Sequence, residues 1–172
     1  MRIGLLSDTH GIVDDAVFTY FAECDEVWHA GDFGDIAVLR ALDNRKPVRG
    51  VYGNVDDDLV RAEVPLDLEW DCEGVRVYMT HIGGRPGCYD PRVKTELLRR
   101  KPGLFICGHS HVLQVMRDQT LELLYMNPGA AGRQGWHVVR TMLRFSVSGG
   151  RISAMEAIEL GPRGQTARKR PG

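Results

Sequence analysis

The sequence predicts an α/β protein with two packed sheets of mixed strands and helices on the outside. Two observations lead to this fold class. Short apolar runs, polar loops and helical patterns alternate in the first half of the chain, whereas the second half consists mostly of strand-like runs. The 172 residues, 43% of them hydrophobic, are enough for one domain with a single core.

The first half repeats a unit of strand, polar loop and helix. Strands are predicted over residues 2–7, 24–30 and 47–52, and helices over residues 13–22 and 36–42. The strands end abruptly in the polar sequences SDTHG, GDFGD and GNVDDD. This order predicts right-handed crossovers and a parallel sheet. Ligands of such sheets bind beyond the carboxyl ends of the strands.

The second half has a different character, because strand-like runs dominate it. A hairpin is predicted from residues 64–70 and 75–80, and a helix over Pro91–Arg100. Gly149–Gly150 is expected to turn the chain between the last two of the further strands, which are predicted over residues 104–107, 112–117, 122–126, 138–147 and 152–160.

Composition limits the environment and the partners. The net charge of −1 creates no overall field toward nucleic acid or an anionic membrane, so neither is an expected partner. No apolar stretch reaches the length of a signal-peptide core or a membrane span, which predicts a cytoplasmic location. The domain is expected to cover residues 1–160, and the basic residues 161–172 to form a disordered tail. Wide spacing predicts free thiols, packed as small hydrophobes, at Cys24, Cys72, Cys88 and Cys107.

Residue types that bind metal ions gather in the loops after five predicted strands. They are Asp8, His10, Asp32, Asn54, His81, His109 and His111. Taken singly, such an Asp is usually a cap or turn former, and such a His an ordinary core or surface side chain. Strand ends converge in space, however, so these side chains are expected to share one pocket. Their donor atoms suit manganese, iron, zinc, cobalt or nickel, and suit neither calcium nor a thiolate site.

The order of these motifs resembles one known family. DTH, GDFGD, GNVD, TH and GHSH follow one another, and Asn127-Pro128-Gly129 closes the series. The set resembles the calcineurin-like metallophosphoesterase superfamily, and the short chain without large insertions resembles its small bacterial and archaeal phosphodiesterase branch. The resemblance implies a four-layer αββα sandwich of two facing mixed sheets, in agreement with the strand pattern.

The resemblance also implies two divalent metal ions, with manganese expected first and nickel, zinc, iron or cobalt as alternatives. The implied ligands are Asp8, His10 and His111 for one ion, Asn54, His81 and His109 for the other, and Asp32 between the two. Asp32, Asn54 and His109 are the expected catalytic residues. A hydroxide that bridges two metal ions can attack phosphorus without a protein nucleophile. The expected function is therefore a phosphodiesterase that hydrolyses small phosphate esters.

Val55 departs from the family pattern, because many members have a histidine directly after the Gly-Asn motif. Valine cannot donate a proton, and a missing general acid costs about a hundredfold or more with poor leaving groups. We therefore expect diesters, or esters of acidic alcohols, to be preferred over alkyl monoesters. Two alternatives stay open: a non-catalytic protein-binding scaffold of the same fold, as a retromer subunit of the superfamily is, and a nuclease, which needs a basic groove. A homodimer is equally open.

Other polar residues have two interpretations each. His29 either orients a metal ligand or only packs, and Asn127 either supports the site or only caps its turn. His137, near Arg133 and Trp136, either reaches a phosphate or lies in an exposed loop. The run of aspartates at 56–58 is expected to cap the next helix and not to bind metal.

Overall fold

The computed structural model describes residues 1–164. Within this range the chain forms four helices, which are α1 (Asp15–Tyr20), α2 (Ile36–Asp43), α3 (Asp58–Glu63) and α4 (Pro91–Arg100). The strands are β1 (Arg2–Leu6), β2 (Glu26–His29), β3 (Val48–Gly50), β4 (Asp67–Cys72), β5 (Val75–Thr80), β6 (Gly84–Arg85), β7 (Cys88–Tyr89), β8 (Leu104–Ile106), β9 (Leu113–Asp118), β10 (Leu123–Pro128), β11 (Val139–Ser148) and β12 (Arg151–Pro162).

The first five-stranded sheet has the order β12-β11-β1-β2-β3. Its strands β1, β2 and β3 are parallel, as the strand–helix–strand pattern predicts, and α1 and α2 connect them. The long strands β11 and β12 add an antiparallel hairpin to the other side of β1. The sheet is therefore mixed, and the carboxyl ends of its three parallel strands lie at one edge.

The second five-stranded sheet has the order β4-β5-β8-β10-β9. The predicted hairpin is present, because β4 and β5 pair antiparallel from Asp67↔Thr80 to Cys72↔Val75. The central strands β5, β8 and β10 are parallel, and β9 pairs antiparallel with β10 at the edge. The carboxyl ends of β5 and β8 therefore also meet at one edge of their sheet.

Apolar side chains from both sheets fill the space between them, which confirms the predicted facing arrangement. Trp28 of the first sheet packs edge-on against Trp70 of the second, with ring centroids 4.8 Å apart. Helices α1, α2 and α3 bury Val17, Val38, Leu42 and Val60 in a second cluster, and α4 buries Val93 and Leu97 in a third, against Tyr78, Phe105 and Tyr125. The layers are thus helix, sheet, sheet and helix.

Three features differ from the sequence expectation. The two-residue strands β6 and β7 form a small ribbon, too short to give a periodic pattern. Cys88 on this ribbon is exposed, whereas the other three cysteines are buried as expected, and all four thiols are free. Strand β12 includes Gly161 and Pro162, the first residues of the predicted tail, while residues 165–172 lie outside the described range.

Among residues 1–164, no helix is long and apolar enough to cross a membrane.

Candidate metal centre

The loops that carry the predicted ligands have an unusual backbone. Positive φ angles, which non-glycine residues rarely adopt, occur at Asp8 (54°), His10 (47°), Asp32 (57°), His109 (66°) and His111 (57°). Hydrogen bonds between loops hold this backbone: Asp8 N–H donates to the Gly31 carbonyl (2.9 Å) and His10 N–H to the Asp32 carbonyl (3.1 Å). Such strain concentrates at functional sites, where the surrounding structure enforces it.

Two groups of three potential ligands form at the strand ends. In each group, one donor atom per residue lies within 4.8 Å of the others, and the groups are Asp8 with His10 and His111, and Asp32 with His81 and His109. The two groups are contiguous. His81 Nε2 lies 3.2 Å from Asp32 Oδ2 and 4.0 Å from Asp8 Oδ1, and His10 Nε2 lies 3.9 Å from Asp32 Oδ2. The six side chains of the two groups, which lie between positions 8 and 111 of the sequence, therefore share one pocket, as the strand order predicts.

The buried atoms at the middle of this pocket fit a cation. Asp8 Oδ1 and His81 Nε2 are buried and have no hydrogen-bond partner among the described residues. His81 Nδ1–H donates to the Ala30 carbonyl (2.8 Å), which directs the lone pair of Nε2 toward the Asp32 carboxylate. Two acceptors that face each other in a buried place require positive charge between them, which a bound cation supplies or, without one, a proton on His81, and unpaired buried groups are rare in folded proteins. The donor set is that of a divalent ion.

His137 fixes the tautomer of His111 in the same way. His137 Nε2–H donates to the Gly132 carbonyl (3.1 Å), so its Nδ1 accepts a hydrogen bond from His111 Nδ1–H (3.3 Å). The lone pair of His111 Nε2 therefore faces Asp8 Oδ1, 3.1 Å away. Burial lowers the pKa of His137, which keeps this ring neutral. The interpretation of His137 as only an exposed loop residue is wrong, because it supports a predicted ligand.

The charges around Asp32 favour the ionised form of its carboxylate. Burial raises the pKa of Asp32, but its interaction with His81 and the Val55 N–H bond outweigh burial and lower it. Burial lowers the pKa of His81, and the contacts with Asp32 and the charge of Asp8 raise it above its usual value. The pKa of His109 is lowered, by burial first and then by the charge of His81. Asp32 is thus ionised at neutral pH.

Asn54 is exposed, and the residues on either side of it in the chain, Gly53 and Val55, both contact Asp32. The backbone N–H of Val55 donates to Asp32 Oδ1 (3.1 Å). Gly53 packs so closely that a β-carbon there would collide with the Asp32 carboxylate, so glycine is required. The Val55 side chain is 49% exposed.

Asp56 is a site residue that the sequence interpretation missed. Its carboxylate is 2% exposed and accepts hydrogen bonds from Gly34 N–H and Gly53 N–H, both at 2.7 Å. It thereby joins the loop after Asp32 to the loop before Asn54. The expectation that Asp56 caps the next helix is wrong; Asp57 does so, accepting from two N–H groups at the start of α3. No local signal separates the two aspartates, because the partners of Asp56 include a glycine 22 positions away.

His29 and Asn127 also hold loops and are not simple packing or turn residues. His29 Nδ1 accepts from Gly31 N–H (3.2 Å), so the tautomer carries its proton on Nε2, which donates to Thr9 Oγ1 (3.0 Å). Burial lowers the pKa of His29 to about 3 and keeps it neutral. Asn127 Nδ2 donates to the Gly108 carbonyl (2.8 Å), directly before His109. Each residue contacts the backbone beside a potential ligand.

A two-sheet sandwich with aspartate and histidine donors at its strand ends is the arrangement of metal-dependent phosphoesterases. Residues 1–150 match the family model described as the calcineurin-like phosphoesterase superfamily domain. The chain belongs to this superfamily.

Similar proteins agree with this assignment. A probable metallophosphoesterase of Methanothermobacter thermautotrophicus is 31% identical over 140 residues, which cover 76% of this chain and 77% of that protein. The structure of an archaeal phosphodiesterase superposes with a TM-score of 0.70 at 19% identity, covering 93% of this chain and all of that one. Vps29 of Chaetomium thermophilum gives a TM-score of 0.73 at 16% identity, covering 94% and 99%. At these identities the two structures establish the fold alone.

Proposed function

We propose that the protein is a phosphodiesterase that depends on two divalent metal ions and acts on small phosphate esters. One observation carries the proposal: two contiguous groups of ligands meet at Asp8 Oδ1 and His81 Nε2, buried atoms without a hydrogen-bond partner in the described chain. A buried pocket with this much uncompensated acceptor character is costly unless cations enter it.

The ligand roles combine the two observed groups with the family pattern, which adds Asn54 and puts Asp32 between the ions. Asp8, His10 and His111 would hold one ion, His81, His109 and Asn54 the other, and Asp32 would contact both. Mixed nitrogen and oxygen donors suit manganese, nickel, zinc, iron and cobalt, and the family resemblance puts manganese first among them. Bound ions of this kind lower the pKa of water and offset charge on phosphoryl oxygens.

The protein supplies orientation. The Nδ1–H bonds of His81 and His111 hold their Nε2 lone pairs toward the pocket before any ion arrives. Asp8 is fixed by a hydrogen bond from the backbone N–H of His109 to its Oδ2 (3.1 Å), which leaves Oδ1 for the pocket. Fixed ligands lose little freedom on binding, so the chain is preorganised for its ions.

Val55 supports the choice of diesters. It stands beside Asp32 at the position of a family histidine, is half-exposed toward solvent, and offers no proton. Leaving groups that need a general acid should therefore react slowly. Diesters with acidic leaving alcohols have no such need.

The test compares two esters in protein stripped with a chelator and then reloaded with manganese, nickel, zinc or magnesium. We expect bis-nitrophenyl phosphate to be hydrolysed faster than nitrophenyl phosphate, His109→Ala to abolish turnover, and Lys94→Ala on the outer helix to leave it unchanged. In Val55→His, hydrolysis of alkyl monoesters should rise about tenfold or more. Equal rates of the wild type on alkyl monoesters and nitrophenyl diesters would refute the role of Val55.

A protein-binding scaffold remains the second candidate, because the fold also matches Vps29. Ligand integrity distinguishes the two, since a scaffold has no need of unpartnered buried acceptors at Asp8 and His81. Folded protein without turnover in any metal would favour the scaffold.

A further inference from the structure

A cavity of about 550 Å³ opens beside His109. It lies between the loops after β5 and β8, the ribbon β6–β7 and the start of α4. Its walls include Ile82, Arg85, Cys88, Tyr89, Val112 and Tyr125. Its volume falls in the range of small-molecule sites, and it shares His109 with the metal centre. A group attached to a phosphate at that centre could therefore extend into it.

The polar groups of the walls are largely engaged within the protein. Tyr125 Oη donates to the Gly84 carbonyl (3.0 Å), and Tyr89 Oη donates to Asp118 Oδ2 (2.7 Å). The Asp90 carboxylate accepts from the first N–H groups of α4. What these three residues offer to the cavity is mainly ring and chain carbon, so this part of the wall suits an apolar group better than a sugar.

Two apolar side chains at the mouth are exposed. Ile82 is 40% exposed and directly follows His81, and Val112 is 61% exposed and directly follows His111. An apolar part of a ligand seated in the cavity would cover both side chains. Arg85 forms no ion pair with any described residue, and a guanidinium group stacks well on a planar ring.

We propose that this cavity binds a planar aromatic substituent of the phosphodiester. The inference rests on the proposed function, since it assigns the substrate class of the same site: diesters with one anionic charge and at least one uncharged aromatic arm. Val112 and Ile82 cover the ring edge, the tyrosines line the wall, and Arg85 lies at the rim.

Cys88 permits a test that does not depend on turnover. It lines the cavity and is the exposed thiol, whereas Cys24, Cys72 and Cys107 are buried. The probe is diphenylphosphinate, which has no ester bond to hydrolyse, at saturating concentration on the metal-loaded full chain. It should slow alkylation of Cys88 by iodoacetamide to about one tenth of the rate without ligand, because a ligand seated in the cavity covers the wall that contains Cys88. Dimethylphosphinate should leave the rate unchanged. Equal rates with both probes would overturn the inference, as would protection that appears with rising protein concentration alone, which would mean that a second copy covers the cavity.

Steady-state kinetics of the alkylated enzyme provide a second test. The cavity is assigned to the arm that stays on phosphorus, so benzylation of Cys88 should lower kcat/KM for bis-nitrophenyl phosphate about tenfold. It should spare methyl nitrophenyl phosphate, whose single ring is the leaving group. Cys88→Ser treated in the same way should be unaffected. Equal loss with both substrates, or no loss with either, would overturn the inference. Protection of Cys88 without turnover of any ester would instead refute the proposed function and leave aromatic recognition standing.

Discussion

Replacement of Asp56 should disturb both the stability of the fold and the metal centre. The Asp56 carboxylate holds two loops together by accepting hydrogen bonds from Gly34 N–H and Gly53 N–H. Those loops carry Asp32 on one side and Asn54 on the other. The side chain is 2% exposed, so water cannot replace it easily. We expect Asp56→Ala to loosen the loops relative to each other.

The magnitude follows from the two bonds. A hydrogen bond to a charged acceptor contributes about 1.5–3 kcal/mol, so loss of both should lower the free energy of unfolding by about 3–6 kcal/mol. Asp56→Asn keeps one carbonyl oxygen and turns an amide N–H group toward the other donor. It should therefore lose about half of that amount or more.

Urea unfolding of metal-free protein measures the first effect, and calorimetric titration with manganese measures the second. Asp58→Asn, an exposed neighbour, is the matched control and should stay within about 0.5 kcal/mol of the wild type. Asp57→Ala should cost about 1 kcal/mol, since it removes only a helix cap. The reasoning fails if Asp56→Asn unfolds at the same urea concentration as Asp58→Asn, or if it binds manganese as tightly as the wild type.

Three further predictions concern the residues that hold the other loops. Burial lowers the pKa of His29 from 6.5 to about 3, so between these pH values the unfolded chain binds a proton that the folded chain does not. Stability should therefore fall by up to about 1.4 kcal/mol per pH unit on acidification. His29→Gln should flatten this dependence in urea midpoints from pH 7 to 4, and an unchanged slope would contradict the prediction. His137→Ala removes the acceptor for His111 Nδ1–H and should weaken binding of one metal ion about 10–100-fold in calorimetric titration, whereas unchanged affinity would argue against the relay. Asn127→Ala leaves the Gly108 carbonyl without its donor and should lower the free energy of unfolding by about 1–3 kcal/mol, measured by thermal unfolding. Asn127→Asp should lose at least as much, because its carboxylate would face that carbonyl.

Regular elements and the ligand cluster could be predicted from the sequence because both rest on strong, local signals. Helix α4 begins at Pro91 and ends at Arg100 as predicted, since Asp90 caps it and its apolar spacing is clear. The cluster could be anticipated because parallel strands bring their carboxyl ends to one edge. The ribbon β6–β7 could not be predicted, because two-residue strands have no period. The role of Asp56 could not be either, because one of its partners is the backbone N–H group of a glycine 22 positions away. For His29 the sequence left two interpretations open, because only the fold shows that its ring accepts from Gly31 N–H.

The backbone and the side chains of the metal centre support the same conclusion independently. Five predicted ligands have positive φ angles, a conformation that costs free energy at each non-glycine residue. Facing acceptors at Asp32 and His81 add an electrostatic cost unless positive charge lies between them. Relaxing either feature would stabilise a chain that only presented its surface to a partner. A fold that maintains both, and supports them with Asp56, His29, Asn127 and His137, fits the proposed cation site, and the exposed apolar side chains beside His109 fit the proposed aromatic ester.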